Sequence, residues 1–346
     1  VIEKGACGRE ASWAAGGMLT TDVHATVQDD AYLLGATSRG MYSTLAAELL
    51  DETGIDIELD RTGTIDVAFG DEDGRRLFEK YRQQTSAGIT VETLSLEEVL
   101  RLEPELSSTI QIAAYYSNDW QVENRKLLLA LLRYASLNDI EIRERPEVAS
   151  LIVENGTAKG VQTARGPMYA GHTIIATGAW TSLIKLGDAA MPFTVKPIRG
   201  QIVAFAGPPR TIAHVLWTGH SYIVPRVDGR VLVGSTSEDV GFDHSVTEQA
   251  RSELMETAIH IAPAIGTMQT VDHWSGLRPF AGDGLPVIGP IAGLDGITIA
   301  TGHYRNGILL APVTASIVAD ALIGKADAAF LDGFRPDRFR LAAAKR

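Results

Sequence analysis

Cysteine is nearly absent from the sequence, since Cys7 is the only one among 346 residues. A single cysteine excludes a framework of internal disulfides and any metal site built from several cysteines, and it is typical of a reducing compartment. No signal peptide is visible at the start of the sequence. We therefore expect the protein in the cytoplasm.

Positive charge is also scarce. The 31 lysines and arginines stand against 43 aspartates and glutamates, and the formal net charge is −12. With no block of basic residues, the charge argues against nucleic acid or an anionic membrane surface as the main partner. No apolar run reaches the roughly 18 residues that a membrane-spanning helix needs. A small solute is the expected partner, and a homo-oligomer is left open.

Several catalytic constellations are missing as well. The sequence offers no nucleophile with its base, no metal-binding cluster and no compelling pair of carboxylates. Acyl transfer, metal-assisted hydrolysis and glycoside hydrolysis therefore lack the side chains that they require.

Apolar residues are plentiful, at 45% of a chain long enough for two domains. Their helical spacing predicts helices from Asp29 onwards, from Glu123 to Ala135 and over residues 248–260, and a last helix with the buried stripe Leu310, Val313, Ile317 and Ala321. The polar stretch from Asp71 to Leu106 is also interpreted as helical.

Strand patterns fill much of the remainder. Val1-Ile2 is interpreted as the end of a buried strand, and residues 55–59 and 65–69 as a hairpin across Thr62-Gly63. A meander is predicted over residues 148–176, with turns at Asn155-Gly156 and Arg165-Gly166. Further strands are predicted at 201–205, 222–226, 230–233 and 297–300.

Buried strands of parallel type near residue 1, within 148–176 and near 297 alternate with antiparallel material. This order predicts an α/β fold, α+β overall, in which two domains interleave. We predict a Rossmann-like dinucleotide-binding domain from residues 1–54, 121–190 and 271–346. A substrate domain with an antiparallel or mixed sheet would comprise residues 55–120 and 191–270.

Three segments carry features of a nucleotide site. Glu3 ends a predicted strand, where α/β folds bind the ribose of an adenine dinucleotide, although solvated strand-end glutamates are common. Gly178 ends the strand 173–176 and lets a ligand approach the backbone, although an ordinary strand exit has the same pattern. Residues 302–307 lead into the last helix, whose N-terminus favours an anion.

Five motifs, taken in order, resemble the D-amino-acid oxidase family of FAD enzymes, and most nearly its glycine oxidases. They are SWAAGGML at 12–19, ATGAW at 176–180, PIRGQ at 197–201, GLRP at 276–279 with DGLP at 283–286, and TGHYRNGILLAP at 301–312. The resemblance extends from residue 1 to about residue 339.

The resemblance implies roles for particular side chains on the substrate side. Arg278 matches the family's carboxylate clamp, a task that suits the planar guanidinium. Tyr222 matches the tyrosine that supports the same carboxylate, and strand alternation puts His220 on its face. Arg305 matches a second arginine near the mouth of the site. Met18 matches a residue beside the flavin, although packing alone would also explain it.

The resemblance also implies that FAD is the cofactor. It is expected to be noncovalent, because Cys7 is the only cysteine and some sarcosine oxidases attach flavin through a cysteine in their later half. The residues expected to bind it are Glu3, Ser12, Ala15, Gly16, Gly17, Met18, Val148, Thr177, Gly178, Trp180, Arg278, His303, Arg305, Asn306, Gly307 and Ile308.

The activity implied is oxidative deamination of glycine or another small amino acid, such as sarcosine or D-alanine. The imine product would hydrolyse to a 2-oxo acid, while dioxygen is reduced to hydrogen peroxide. For glycine oxidases the imine also feeds thiazole synthesis for thiamine. The alternatives are a D-amino-acid dehydrogenase with another electron acceptor and a non-catalytic truncated fragment.

One departure from the family stands out. The Gly-x-Gly-x-x-Gly loop that binds the FAD pyrophosphate occurs nowhere in the sequence. If Glu3 is the family's ribose glutamate, one βα unit of about 30 residues is expected to be missing before it.

Overall fold

Two large β-sheets and seven α-helices make up the described part of the computed structural model, namely residues 1–219, 221–325 and 329–339. The helices are α1 Ala11–Ala14, α2 Asp30–Thr53, α3 Gly70–Ser86, α4 Leu96–Leu102, α5 Asn124–Leu137, α6 Glu248–Ile261 and α7 Gly307–Leu322. The strands are β1 Ile2–Glu3, β2 Met18–Leu19, β3 Thr64–Phe69, β4 Glu92–Leu94, β5 Ile110–Tyr116, β6 Trp120–Gln121, β7 Arg143–Glu144, β8 Val148–Glu154, β9 Thr157–Thr163, β10 Gly166–Tyr169, β11 Thr173–Ile175, β12 Lys185–Leu186, β13 Val195–Ala206, β14 Val215–Trp217, β15 Tyr222–Pro225, β16 Arg230–Gly234, β17 Gln269–Ala281, β18 Val287–Ile291 and β19 Leu294–Thr301.

The larger sheet has eight strands in the order β17-β13-β16-β15-β14-β3-β5-β4. Its neighbours are antiparallel except for the parallel pair β14 and β3. Alternation sends Val203 and Phe205 into a core that α6 covers, and Ile202 and Ala204 into the core on the other face. Because both faces are buried there, residues 202–206 at the end of β13 form a continuous apolar run.

The second sheet has the order β11-β19-β9-β8-β12, with β10 on β9 and β18 on β19. It mixes parallel pairs (β11 with β19, β19 with β9, β12 with β8) and antiparallel ones (β8 with β9, β9 with β10, β18 with β19). Both sheets draw strands from distant parts of the chain, so the predicted interleaved α/β fold class is confirmed. β17 crosses the predicted boundary at residue 270 and belongs entirely to the larger sheet.

The helices predicted from Asp29, Glu123 and residue 248, and the last helix, are confirmed as α2, α5, α6 and α7. The helical interpretation of residues 71–106 is wrong in part. α3 ends at Ser86, β4 follows, and α4 begins at a capping box in which Ser95 and Glu98 satisfy each other's backbone N–H groups.

The predicted hairpin of residues 55–59 with 65–69 is wrong. Residues 55–59 form no strand, and Glu58 interrupts them with a φ of 54°. Ile57 is fully buried against the α2 and α7 side of the protein, so the apolar alternation reflects core packing. β3 pairs instead with β5 and β14.

The opening strand is present, but its predicted burial is wrong. β1 pairs in parallel with β7. Val1 is 66% exposed, because in the part of the chain that the structure describes β1 has only this two-residue strand as a neighbour.

None of the helices in the described ranges combines the length and the apolar character that crossing a membrane requires.

Helix α7 contains a proline, and side chains of α2 supply the hydrogen bond that this proline cannot make. Pro312 has no N–H to offer to the carbonyl of Ile308, four residues earlier. The hydroxyl of the fully buried Tyr42 donates to that carbonyl instead. One residue further, the Ser38 hydroxyl donates to the Leu309 carbonyl at 2.6 Å and accepts from the Val313 N–H at 3.2 Å. Two side chains of α2 thus complete the hydrogen bonding of α7.

We predict that Tyr42→Phe lowers the free energy of unfolding by about 1 to 3 kcal/mol, because a buried carbonyl loses its donor. The measurement is urea unfolding at neutral pH. The background Pro312→Ala restores an N–H to α7, so Tyr42→Phe should cost clearly less in that background. Tyr81→Phe, which removes a partly exposed hydroxyl on α3, is the matched control. Equal costs of Tyr42→Phe in both backgrounds would show that the Ile308 carbonyl is not the partner that matters.

Candidate active site

A cavity of about 250 Å³ lies where the larger sheet meets α1, β2 and the start of α7. We call it the central cavity. The predicted site residues on its wall are Ser12, Ala15, Gly16, Gly17, Met18, Gly178, Tyr222, Arg278, His303, Arg305, Asn306, Gly307 and Ile308.

A second cavity of about 280 Å³ adjoins the first. We call it the outer cavity, and it shares Ala11, Ser12, Ala176 and Gly178 with the central one. The predicted site residues on its wall are Glu3, Ser12, Val148, Thr177, Gly178 and Trp180. The structure therefore gathers the predicted site residues around two adjoining cavities, except for His220, which lies outside the described residues.

Arg278 stands on β17 with its guanidinium group fixed from one side. One terminal nitrogen donates to the Thr236 carbonyl at 3.1 Å, and the other to the Ser235 hydroxyl at 2.7 Å. Both acceptors are neutral, so the positive charge is oriented without being neutralised by them. Gly200 on β13 makes room for the group, because a Cβ there would lie 2.1 Å from the nearer nitrogen.

Tyr222 on β15 is 7% exposed and lies nearly parallel to Trp217, with ring centroids 6.1 Å apart. Gly234 is its cross-strand partner, and a Cβ at that residue would approach the tyrosine ring to 2.6 Å. The other neighbour of Trp217 is His24, at 4.7 Å and edge-on. Trp217 and His24 also line the central cavity, although the sequence analysis did not select either residue.

The start of α7 closes the central cavity. Its N-cap residue, Asn306, makes no side-chain cap, so the first backbone N–H groups and the positive end of the helix dipole are left facing this wall. The Tyr304 N–H donates to the Pro279 carbonyl at 3.0 Å, which ties the approach to α7 to the strand that carries Arg278. Arg305 is exposed at the cavity rim, 5.4 Å from the Tyr304 ring centroid.

His303 is held in its neutral form. Burial lowers the pKa of its imidazole to about 4, and its Nε2 lies 2.9 Å from the Thr314 hydroxyl. The histidine therefore adds no positive charge beside the helix N-terminus at neutral pH.

A buried guanidinium that the sequence analysis missed joins the two sides of the central cavity. Arg226 donates to the Gly16 carbonyl at 2.8 Å, to the Val122 carbonyl at 3.1 Å and to the Asn124 side chain at 3.1 Å. The Glu123 carboxylate lies 3.4 Å from its Nε. A charged residue directly after the apolar run Tyr222–Pro225 was the available signal.

In the outer cavity, the Glu3 carboxylate accepts a hydrogen bond from the Gly5 N–H at 2.7 Å. The Lys4 ammonium lies 4.1 Å from the centroid of the Trp180 ring, within cation–π range. Cys7 lines neither cavity. Across the described ranges, no group of three or more histidine, cysteine, aspartate or glutamate side chains is placed to hold a metal ion.

Comparison with known proteins yields a consistent pattern. Residues 1–321 match the family model DAO, described as FAD dependent oxidoreductase. A glycine oxidase from Pseudomonas aeruginosa is 33% identical over 329 residues, which are 94% of this chain and 88% of that protein. The crystal structure of glycine oxidase from Geobacillus kaustophilus superposes with a TM-score of 0.90 at 34% identity, covering 96% of this chain and 90% of that one.

A further relative combines two activities in one polypeptide. It is the bifunctional protein ThiO/ThiG from Trichormus variabilis, 30% identical over 338 residues. The match covers 96% of this chain and 50% of that protein.

His303 gives the site a predictable response to acid. Its pKa is about 4 in the folded protein and about 6.5 when unfolded, so the unfolded state binds the proton first as the pH falls. Stability is therefore lost on acidification through pH 6.5 towards pH 4. Between pH 7 and pH 5 this residue should account for about 2 kcal/mol of lost unfolding free energy.

We predict that His303→Gln removes this part of the acid sensitivity, because glutamine does not titrate while its amide can still bond to Thr314. Urea unfolding at pH 7 and pH 5 measures it. His172→Gln is the matched control, since His172 also contacts a threonine hydroxyl, that of Thr298 at 2.9 Å, but is exposed. An unchanged pH dependence in His303→Gln would refute the assignment.

Proposed function

The chain belongs to the DAO family of FAD-dependent oxidoreductases and is an amino-acid oxidase of that family, and we propose that its substrate is glycine or another small amino acid. Sarcosine and D-alanine are the other candidates. The observation that carries the proposal is the Arg278 guanidinium, which neutral oxygens orient at the wall of the central cavity.

We propose that one extended dinucleotide occupies the two adjoining cavities. Gly178 stands where they meet, and a Cβ at that residue would point into open space, with no described atom within 4 Å. The uncapped start of α7 supplies positive potential at the central cavity, which suits the electron-rich end of a flavin. We assign the isoalloxazine ring to the central cavity and the adenosine part to the outer cavity, with Glu3 as the ribose partner.

We infer that FAD is held without a covalent bond, since the single cysteine, the residue type through which some sarcosine oxidases attach flavin, lines neither cavity. Denaturation of the protein should then release all of its flavin into solution. Flavin that stays with the precipitated chain would overturn this inference.

The chain's own residues position the substrate. Arg278 would bind the amino-acid carboxylate with two parallel charge-assisted hydrogen bonds, and Tyr222 would add a third from its hydroxyl. Both side chains are at least partly buried, so the carboxylate would exchange water for fixed donors. Met18 and Arg305 complete the wall. Bound FAD supplies the two-electron oxidation of the carbon–nitrogen bond.

The proposed overall reaction consumes one amino acid, one dioxygen and one water. It yields a 2-oxo acid, ammonia (methylamine in the case of sarcosine) and hydrogen peroxide; from glycine the oxo acid is glyoxylate. The name of the ThiO/ThiG relative supports a link to thiazole synthesis for thiamine, in which the imine would be used before hydrolysis. A cytoplasmic location agrees with the single cysteine.

A peroxide-coupled assay of the FAD-loaded protein with glycine, sarcosine and D-alanine tests the proposal. Turnover with at least one of them is expected. Turnover with an artificial electron acceptor but almost none with dioxygen would instead establish a dehydrogenase. A protein that takes up no FAD and shows no turnover under either condition would contradict both enzymatic functions.

We predict that Arg278→Leu raises the substrate KM on the order of 100-fold, because the carboxylate loses its ionic partner in a partly buried site. Arg305→Ala should have a smaller effect, since that arginine is exposed. Steady-state kinetics with the best substrate measures both. Retained substrate affinity in Arg278→Leu would refute the assignment of the clamp.

Displacing the Arg278 guanidinium should impair catalysis even when its positive charge is kept. Gly200→Ala places a methyl group on the guanidinium, so we predict that kcat/KM falls by about 100-fold as Arg278 is displaced. Gly40→Ala is the matched control, because a Cβ on α2 at that residue meets no described atom within 4 Å. Equal activity of the two alanine variants would show that Arg278 acts from another position.

A further inference from the structure

A second arginine lies behind the carboxylate clamp. Arg199, on β13, has a side chain that is only 4% exposed. Its guanidinium donates to the Glu238 carboxylate at 2.5 and 3.2 Å, to Asp243 at 2.5 Å and to the Ser245 hydroxyl at 2.9 Å. Nearly all of its hydrogen-bonding capacity is therefore directed at one stretch of chain, residues 235–247, which we call the bracing segment.

The backbone of β13 binds the same segment. The N–H of Arg199 donates to the carbonyl of Glu238 at 2.9 Å, and the N–H of Glu238 donates back at 2.9 Å. The backbone N–H of Gln201 donates a hydrogen bond to the Thr236 hydroxyl at 2.9 Å, and its side-chain amide donates one to the Glu238 carboxylate at 2.8 Å. At the end of the segment, the Thr247 N–H donates to the Gln201 side-chain oxygen at 2.8 Å.

The bracing segment in turn orients Arg278. The two acceptors of the Arg278 guanidinium, Ser235 and Thr236, are its first two residues. Thr236 also donates to the Glu238 carboxylate, the group that Arg199 holds. A chain of hydrogen bonds thus connects the buried guanidinium of Arg199 with the residues that orient the Arg278 guanidinium at the cavity wall.

We propose that Arg199 is a positioning residue for substrate binding, which fixes the bracing segment and through it the orientation of Arg278. This inference rests on the proposed function, in which Arg278 binds the substrate carboxylate. A displacement of the Arg278 guanidinium by a fraction of an ångström disrupts a bidentate contact. Removing Arg199 should therefore weaken carboxylate binding although Arg278 itself is still present.

The chain offers a closely matched control on the same strand. Lys196, three residues before Arg199, pairs with Asp239 of the bracing segment at 2.5 Å, but 45% of its side chain is exposed. An exposed ion pair contributes little, so Lys196→Met should leave the segment in place. Comparing Arg199→Met with Lys196→Met shows whether an effect comes from losing the buried ion pairs of Arg199 or from losing any basic residue on β13.

The experiment uses the FAD-loaded protein and measures two quantities for each variant. One is the dissociation constant of acetate, a substrate-sized carboxylate that cannot be deaminated, from calorimetric titration; the other is the split between KM and kcat. Arg199→Met should raise the acetate constant and KM about tenfold and change kcat less than threefold. Arg199→Lys, which keeps the charge but not the fork, should give an intermediate effect, and Lys196→Met none.

The outcomes are distinguishable from failure of the proposed function. If the unaltered protein neither binds acetate nor oxidises a small amino acid, the proposed function itself fails. If it does both, and Arg199→Met and Arg199→Lys behave like Lys196→Met, the positioning role is wrong. A fall in kcat as large as the loss of acetate binding would also overturn it, because the effect would then be a general loosening of the fold.

Discussion

The burial of the Arg226 guanidinium is the constraint on which the rest of the candidate site depends. Its side chain is 2% exposed, and burying a charge in this way costs several kcal/mol unless donors and acceptors are matched. Here the Gly16 and Val122 carbonyls, the side chains of Gln121 and Asn124 and the Glu123 carboxylate surround it. These acceptors belong to the segment before β2, to β6 and to the entry of α5. The end of β15 is therefore joined to the backbone that lines the central cavity.

The consequences extend along β15. With its end joined to Gly16, Tyr222 lies over that glycine, whose Cβ position is 3.3 Å from the tyrosine ring. From the opposite wall, β17 brings Arg278 to the same cavity, and α7 brings its uncapped start. The chemistry thus depends on three elements meeting at one place, each fixed by buried polar contacts: Arg226 for β15, the bracing segment for Arg278, and Tyr42 and Ser38 for α7.

Much of the local structure could be predicted from periodicity, and the exceptions have a physical explanation. The stripe Met41, Leu45 and Leu49 predicted α2, since a helix places residues four positions apart on one face. Residues 55–59 alternate just as a strand does, yet their apolar side chains pack into a core from a connection between helix and sheet. Alternation reports burial of every second residue, and burial has causes other than strand pairing.

The site residues divide in the same way. Those in short motifs, such as Arg278 and residues 302–308, could be selected from the sequence because a clamp or a helix start has a local pattern. The contacts of Arg226, Arg199, Trp217 and Ser235 could not be predicted, because the partners lie up to 210 residues away along the chain. The sequence by itself determined the family of FAD-dependent oxidoreductases, and its motifs selected Arg278 as the residue that we propose for substrate binding. Only the tertiary structure decided which way that arginine points, because orientation is fixed by buried hydrogen bonds between segments that no local pattern connects.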